Sequence, residues 1–209
     1  MKLYGYWRSS ASWRVRIALA FKGLAYEYVP VHLVKDGGEQ HGAAHQRRNP
    51  MEQVPVLEVD GVRLAQSMAI LEYLEETHPA PALLPAAPFA RAKARQLAEV
   101  INAGIQPLQN LGVIQQVKAL GSDEKAWAAH WIRKGLAALE VEAAESAGRF
   151  LVGDAPSFAD VCLVPQLYAS RRFGIDPADY PTLARIEATC AALEPFAKAH
   201  ADAQPDAVA

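Results

Sequence analysis

Cysteine is scarce in this chain: Cys162 and Cys190 are the two among 209 residues. They cannot build a disulfide framework, and neither sits in a spacing that would hold zinc, so no metal is expected. Long apolar runs are missing as well. No stretch approaches the roughly 18 residues that a membrane helix needs, so no membrane partner is expected. The opening Met1-Lys2-Leu3-Tyr4-Gly5 lacks the basic, apolar and small-residue regions of a signal peptide. Charge of one sign is absent too: 21 bases against 23 acids give a formal net charge of −2, with no long run of either sign. The electrostatic footprint of a nucleic-acid binder is therefore missing. What is there is 51% hydrophobic and 21% charged, the make-up of a folded protein. The expectation is a soluble protein of a reducing, cytoplasmic compartment, with room for one large domain or two small ones.

Proline marks a seam. Pro79, Pro81, Pro85 and Pro88 fall within ten residues, where missing donors and restricted neighbours favour a stiff extended linker. Before the seam, strand-like and helical patterns alternate; after it, almost everything reads as helix. The predicted division is a first domain at 1–80, a linker at 81–88 and an all-helical domain at 89–209.

In the first domain, residues 2–7 alternate as a strand. Residues 12–22 place Trp13, Ile17, Ala20 and Phe21 at helical spacing, with Arg14, Arg16 and Lys22 toward water, and residues 26–32 read as a second strand. A weaker helix is expected around 39–47. Strands at 56–59 and 62–65 flank Asp60-Gly61, the dipeptide suited to a two-residue hairpin. Ser67 then caps a helix with Ile70, Leu71 and Leu74 inward and Glu72, Glu75 and Glu76 outward. The order β-α-β-α-β-β-α, with its last strands antiparallel, is a thioredoxin-like layout. In the second domain, helices are expected at 89–118, kinked at Pro107, and at 124–147, 157–173 and 182–193. Ser157 and Asp160 form an acidic relative of the capping box, and residues beyond 199 read as frayed.

Three places carry chemistry. Arg8-Ser9-Ser10-Ala11-Ser12 follows a strand and opens a helix, whose unpaired N–H groups and dipole favour an anion. Capping by Ser9, Ser10 or Ser12 accounts equally well for the pattern. Gln53-Val54-Pro55 enters a strand; a cis bond there would present the N–H and C=O of Val54 as a peptide-binding edge, while a strand-start proline needs no function. Gln66-Ser67 opens the next helix with an amide, a hydroxyl and backbone donors for a carboxylate, or simply caps it. His41 and His45 are too few ligands for a metal and read as solvated. The cysteines and Trp7, Trp13, Trp127 and Trp131 read as core or domain contacts, with Trp7 beside Arg8 a candidate for lining a cleft.

Residues 9–19 read SSASWRVRIAL, beside a family signature of Ser-Ser-Cys-Ser-Trp-Arg-Val-Arg-Ile-Ala-Leu. KDGGEQ at 35–40, NPMEQVPVLEVDG at 49–61, QSMAILEYLEE at 66–76, GIQPLQN at 104–110, VGDAPSFADVCLVPQ at 152–166 and RRFGID at 171–176 extend the match. The chain resembles the zeta class of glutathione transferases, best known for maleylacetoacetate isomerase activity. That resemblance implies the glutathione transferase fold, an α/β thioredoxin-like domain followed by an all-α domain, and a homodimer. It implies glutathione as cofactor, an acidic small-molecule substrate and a place in the breakdown of phenylalanine and tyrosine. By the same resemblance, Ser9 would donate to the glutathione sulfur with Ser10 beside it. Gln40 and the backbone of Val54 would hold the cysteinyl-glycine portion, and Gln66 and Ser67 the γ-glutamyl carboxylate. Gln106 and Asn110 on the long helix would face the active cleft. Arg8 and Arg172 would meet the substrate's carboxylates, with Arg171 an equally available neighbour. The signature cysteine is Ala11 here, which removes any mixed disulfide or covalent capture by protein sulfur at that position. Maleylpyruvate isomerisation, conjugation of α-halo acids and a non-catalytic binding module are the competing functions.

Overall fold

Asp60 and Gly61 both take positive φ, 52° and 80°, the pair of values a type I′ turn needs and the reason this dipeptide joins two strands so tightly. In the computed structural model, which describes residues 1–207, the turn joins β3 (Val56–Val59) to β4 (Val62–Ala65), with Val59 opposite Val62. β1 (Lys2–Gly5) lies antiparallel to β3 and parallel to β2 (Glu27–Pro30), giving the order β2-β1-β3-β4. The helices of this part are α1 (Ser10–Phe21), the short α2 (Ala43–Gln46) and α3 (Ser67–Thr77). A 3-10 turn at Glu39–His41 and α2 take the place of the single helix expected at 39–47. The thioredoxin-like arrangement of the first domain is as the sequence pattern predicts.

The remaining helices are α4 (Pro88–Asn102), α5 (Leu111–Ala119), α6 (Glu124–Ala144), α7 (Phe158–Arg171), α8 (Pro181–Ala191) and α9 (Glu194–Lys198). The expected helix at 89–118 is broken rather than kinked. Pro107 has no N–H for the carbonyl four residues back, a 3-10 turn at Gln106–Gln109 intervenes, and the Asn110 side chain opens α5 by accepting the Leu111 N–H at 2.8 Å. α7 is the buried centre of the helical part, against α4 and α8. Its start is closed by Asp160: Oδ1 accepts the Leu151 N–H, and Oδ2 accepts both the N–H and the O–H of Ser157, each at 2.8 Å. Burial pushes this carboxyl up to about 6 against those hydrogen bonds.

The chain divides differently from the expected 1–80 and 89–209. One unit is Met1–Ala82 together with Leu193–Ala209; the other is Leu83–Ala192. α9 packs against α1 in the first unit. The expected linker at 81–88 contains buried Leu83 and Leu84, and the Leu83 carbonyl accepts the Phe158 N–H at 3.0 Å. Nor are residues 200–206 frayed: a 3-10 turn at Ala201–Ala203 leads to Asp206, which is hydrogen-bonded within the first unit, and residues 208 and 209 lie outside the described residues.

The charged residues of α1 overturn a second expectation. Arg14, Arg16 and Lys22 are buried, not turned to water, and so is Glu75 on α3. Lys22 Nζ lies 2.8 Å from Glu75 Oε2 and also donates to the carbonyls of His78 and Pro81. A buried charge persists where several acceptors replace its hydration.

Candidate active site

β1 ends at Gly5 and α1 begins at Ser10, so residues 6–9 have neither a strand ladder nor a full helical turn to satisfy their backbone. Side chains share that work with backbone bonds from the Ser9 N–H to the Tyr6 carbonyl (3.0 Å) and from the Trp13 N–H to the Ser9 carbonyl (2.9 Å). Ser12 Oγ accepts the Tyr6 N–H at 3.4 Å, and Arg16 donates to the carbonyls of Tyr6 (3.3 Å) and Trp7 (2.7 Å). Ser9 is the N-cap of α1, its Oγ accepting the Ser12 N–H at 3.2 Å. Accepting uses a lone pair and leaves the hydroxyl hydrogen to donate elsewhere. The two readings of Ser9, cap and ligand donor, are compatible. Ser9, Ser10 and Ala11 are half-buried, and the Arg8 guanidinium lies 5.1 Å from the centre of the Trp7 ring.

α3 opens without a side-chain cap. Its N-cap, Gln66, sits at φ 72°, ψ 114°, outside the regions a side-chain-bearing residue favours, a strain typical of functional positions. The first amides of α3 thus face a helix start bearing the positive end of the dipole, a place for a carboxylate. Gln66 is exposed and Ser67 buried, its Oγ accepting from Arg14 Nη1 at 3.2 Å. Arg14 thereby supports the site, a role the helical spacing concealed by assigning it to water.

Between these two helix starts in sequence lie Gln40 and Val54. Gln40 is buried, and its Nε2 donates to the Leu33 carbonyl at 3.2 Å, while Oε1 has no hydrogen-bond partner among the described residues. Gly38, at φ 103°, makes room for it: a Cβ there would stand 2.7 Å from Gln40 Oε1. The Val54–Pro55 bond is cis. The turn before it is held from two sides, since Asn49 Nδ2 (2.9 Å) and His45 Nε2 (3.0 Å) both meet the Gln53 carbonyl. A carbonyl only accepts, so His45 carries its proton on Nε2. His45 is buried, contrary to the solvated reading, whereas His41 is exposed and paired with Glu52.

The other candidates belong to the second unit. Gln106 begins the 3-10 turn and Asn110 caps α5, so neither lies on one long helix as expected. Behind them, buried Gln109 and Gln166 exchange side-chain amide hydrogen bonds of 2.9 and 3.1 Å, and Gln166 also donates to Ser170 Oγ at 3.3 Å. Arg171 is committed to Glu187 through two bonds, 2.8 and 2.6 Å. Arg172, at the end of α7, is exposed. Cys162 and Cys190 are buried, and burial pushes the Cys190 thiol well above its usual range. Trp7 and Trp13 are buried, but Trp127 is exposed, its Nε1 donating to the Leu108 carbonyl at 2.9 Å. No group of three or more His, Cys, Asp and Glu that could hold a metal occurs among the described residues.

Two family models match this chain, "Glutathione S-transferase, N-terminal domain" over residues 1–76 and "Glutathione S-transferase, C-terminal domain" over 124–194. The chain belongs to the glutathione S-transferase family. Among members of that family, maleylacetoacetate isomerase of Rattus norvegicus is 51% identical over 98% of this chain and 94% of its own length. Maleylacetoacetate isomerase of Anaeromyxobacter dehalogenans, solved with glutathione in its active site, is 56% identical with a TM-score of 0.89, covering 99% of this chain and 97% of that one. The same enzyme has also been solved with dicarboxyethyl glutathione and citrate bound. A bacterial zeta-class maleyl pyruvate isomerase superposes with a TM-score of 0.95 at 42% identity, over 100% of both chains. As a glutathione S-transferase, this chain has a donor set that fits a thiol tripeptide. The start of α3 suits a carboxylate, the orphaned Gln40 Oε1 suits an amide donor, and Ser9 stands at a helix mouth.

Proposed function

We propose that this chain is a glutathione-dependent cis–trans isomerase that converts maleylacetoacetate to fumarylacetoacetate, with glutathione transferase activity beside it. The observation that carries the reading is Ser9, capping α1 with its lone pair while keeping a hydroxyl proton to donate. Glutathione, when bound, supplies a soft thiolate that adds reversibly to an electron-poor double bond, allowing rotation about it.

What the chain's residues must do follows from that. A free thiol of pKa about 8.5 is only about 3% ionised at pH 7. Lowering it by roughly two units, worth ~2.7 kcal/mol, brings that to about three quarters. The mouth of α1 contributes about 0.3–1 kcal/mol, and a hydrogen bond from Ser9 to the charged sulfur about 1.5–3 kcal/mol. Neither alone reaches that comfortably, and together they do, with Ser10 adjacent as an auxiliary donor. Gln66, Ser67 and the first amides of α3 hold the γ-glutamyl carboxylate; Gln40 and the Val54 backbone hold the remaining peptide. Arg8 and Arg172 orient the substrate's carboxylates and stabilise the negative charge developing on its carbonyl oxygen. Gln106 and Asn110 contribute polar groups from the second unit. Ala11 leaves glutathione as the sulfur nucleophile at this position.

A homodimer and a cytoplasmic setting complete the reading. No helix among the described residues is long and apolar enough to cross a membrane, and Cys162 and Cys190 form no disulfide.

Ser9→Ala tests the proposal. Turnover is expected to fall by about one to three decades with the fold intact, measured against maleylacetoacetate, maleylpyruvate and a chlorinated acid in parallel. Unchanged turnover at normal glutathione affinity removes Ser9 from the mechanism. Faster turnover of maleylpyruvate or the halo acid reassigns the substrate, and failure to bind glutathione by calorimetry leaves a non-catalytic module.

A further inference from the structure

The last residues of the described chain return to the loop that bears Arg8 and Ser9. Asp206 Oδ2 accepts the Trp7 N–H at 3.0 Å and the Tyr28 O–H at 3.2 Å, and is separated from Trp7 by 199 positions in sequence. Arg16 joins the same two segments: besides the carbonyls of Tyr6 and Trp7, it donates through Nε to the carbonyl of Ala199 at 3.2 Å. The returning segment is organised in itself, with Gln204 Nε2 donating to the carbonyls of Lys198 (3.2 Å) and His200 (2.8 Å). The His200 ring stacks edge-on against Trp13 of α1, centroids 4.8 Å apart.

We propose that residues 199–206 form a positioning strap for the glutathione loop, with Asp206 as its decisive residue. The Trp7 amide precedes Arg8 and Ser9, and both its neighbouring peptide groups are held from outside the loop: the N–H by Asp206, the C=O by Arg16. A carboxylate acceptor makes the first of these bonds charge-assisted and short of freedom. With the peptide at Trp7 fixed, Ser9 Oγ is aimed rather than merely present at the mouth of α1. Misplacing a reacting group by about 1 Å costs up to about a hundredfold in rate, so a strap need not touch the ligand to matter. The inference rests on the role given to Ser9 above, and Asp206 is a positioning residue, not a catalytic one.

Four full-length variants test it, Asp206→Ala, Asp206→Asn, Asp206→Glu and Tyr28→Phe, with kcat for maleylacetoacetate, the ultraviolet titration of bound glutathione and Tm as readouts. Asp206→Ala is expected to lower kcat by about tenfold to a hundredfold and to raise the bound thiol's pKa by about one unit. Asp206→Asn keeps an oxygen for the Trp7 N–H and recovers kcat to within about threefold of the parent. Tyr28→Phe leaves that bond in place, and its kcat stays within about twofold. A bound-thiol pKa in Asp206→Ala equal to the parent's, whatever the change in Tm, overturns the proposal, as does an Asn variant no better than Ala. If the Ala variant does not fold, Asp206→Glu decides. A folded Glu variant several-fold slower supports the strap, and parental kcat sinks it. Should the parent itself not lower the thiol's pKa, the functional reading and the strap both fall. If it does and Asp206→Ala matches it, only the strap falls.

Discussion

The starts of α7 and α3 present the same physical problem, a row of backbone N–H groups without carbonyl partners, and resolve it in opposite ways. At α7 the problem is closed internally: Asp160 and Ser157 are fully buried and bonded to each other and to Leu151. At α3 there is no side-chain cap, and the N-cap residue stands in a strained backbone conformation instead. α1 lies between these extremes, with Ser9 capping through its lone pair and keeping a proton to give. A sealed helix start serves the fold. An open or half-open one is maintained at some cost in stability, and its return comes only when a ligand arrives.

The sharpest way to break this contrast is Asp160→Ala. It would leave three buried donors unpaired, and unfolding in urea should register a loss of about 3–5 kcal/mol. A loss below about 1 kcal/mol would mean that the seal is decorative. The same carboxyl makes a pH prediction. Its folded pKa, about 6, lies above its ordinary 3.8, because burial disfavours the charged form. Between these values the folded state binds more protons than the unfolded one, so this group's contribution to stability falls as pH rises from about 4 to about 6 and is level above. Relative to Asp160→Asn, the parent should lose roughly 2–3 kcal/mol across that window. The smallest effect sharpens the other side of the contrast. Gln66→Gly relieves the backbone at φ 72°, so stability should rise by about 0.5 kcal/mol while glutathione affinity, by calorimetry, drops about tenfold.

How far the sequence disclosed all this depended on where each residue's partner lies. Asp60-Gly61 and the strands around it were fully legible, because a hairpin is decided by neighbours in sequence. The capping pair Ser157 and Asp160 was legible for the same reason. Arg14, Arg16 and Lys22 were misread as solvent-facing because helical periodicity assumes that charge seeks water. Their acceptors include a serine 53 positions away and a backbone carbonyl 183 positions away, and carbonyls leave no trace in the identity of a side chain. The break near Pro107 was visible as a proline but not as a break, since its depth depends on the cap that Asn110 supplies. Ser9, Gln40, Val54, Gln66 and Ser67 owe their selection to helix starts, a strand-entry proline and family motifs. Arg14 lies inside a family motif, but its supporting contact with Ser67 shows only in the fold, and Asp206 carries none of these signals.

The discontinuity of the first unit also has a consequence for how the protein is made. Synthesis runs from the N-terminal side to the C-terminal side, so the sheet and α1 emerge before Leu83–Ala192, and the segment from Leu193 that completes their unit is translated only after it. Until then Arg16 lacks the carbonyl of Ala199, and the amide of Trp7 lacks Asp206. The ribosome therefore delivers the glutathione half unfinished, and the segment that follows Ala192 supplies what completes it.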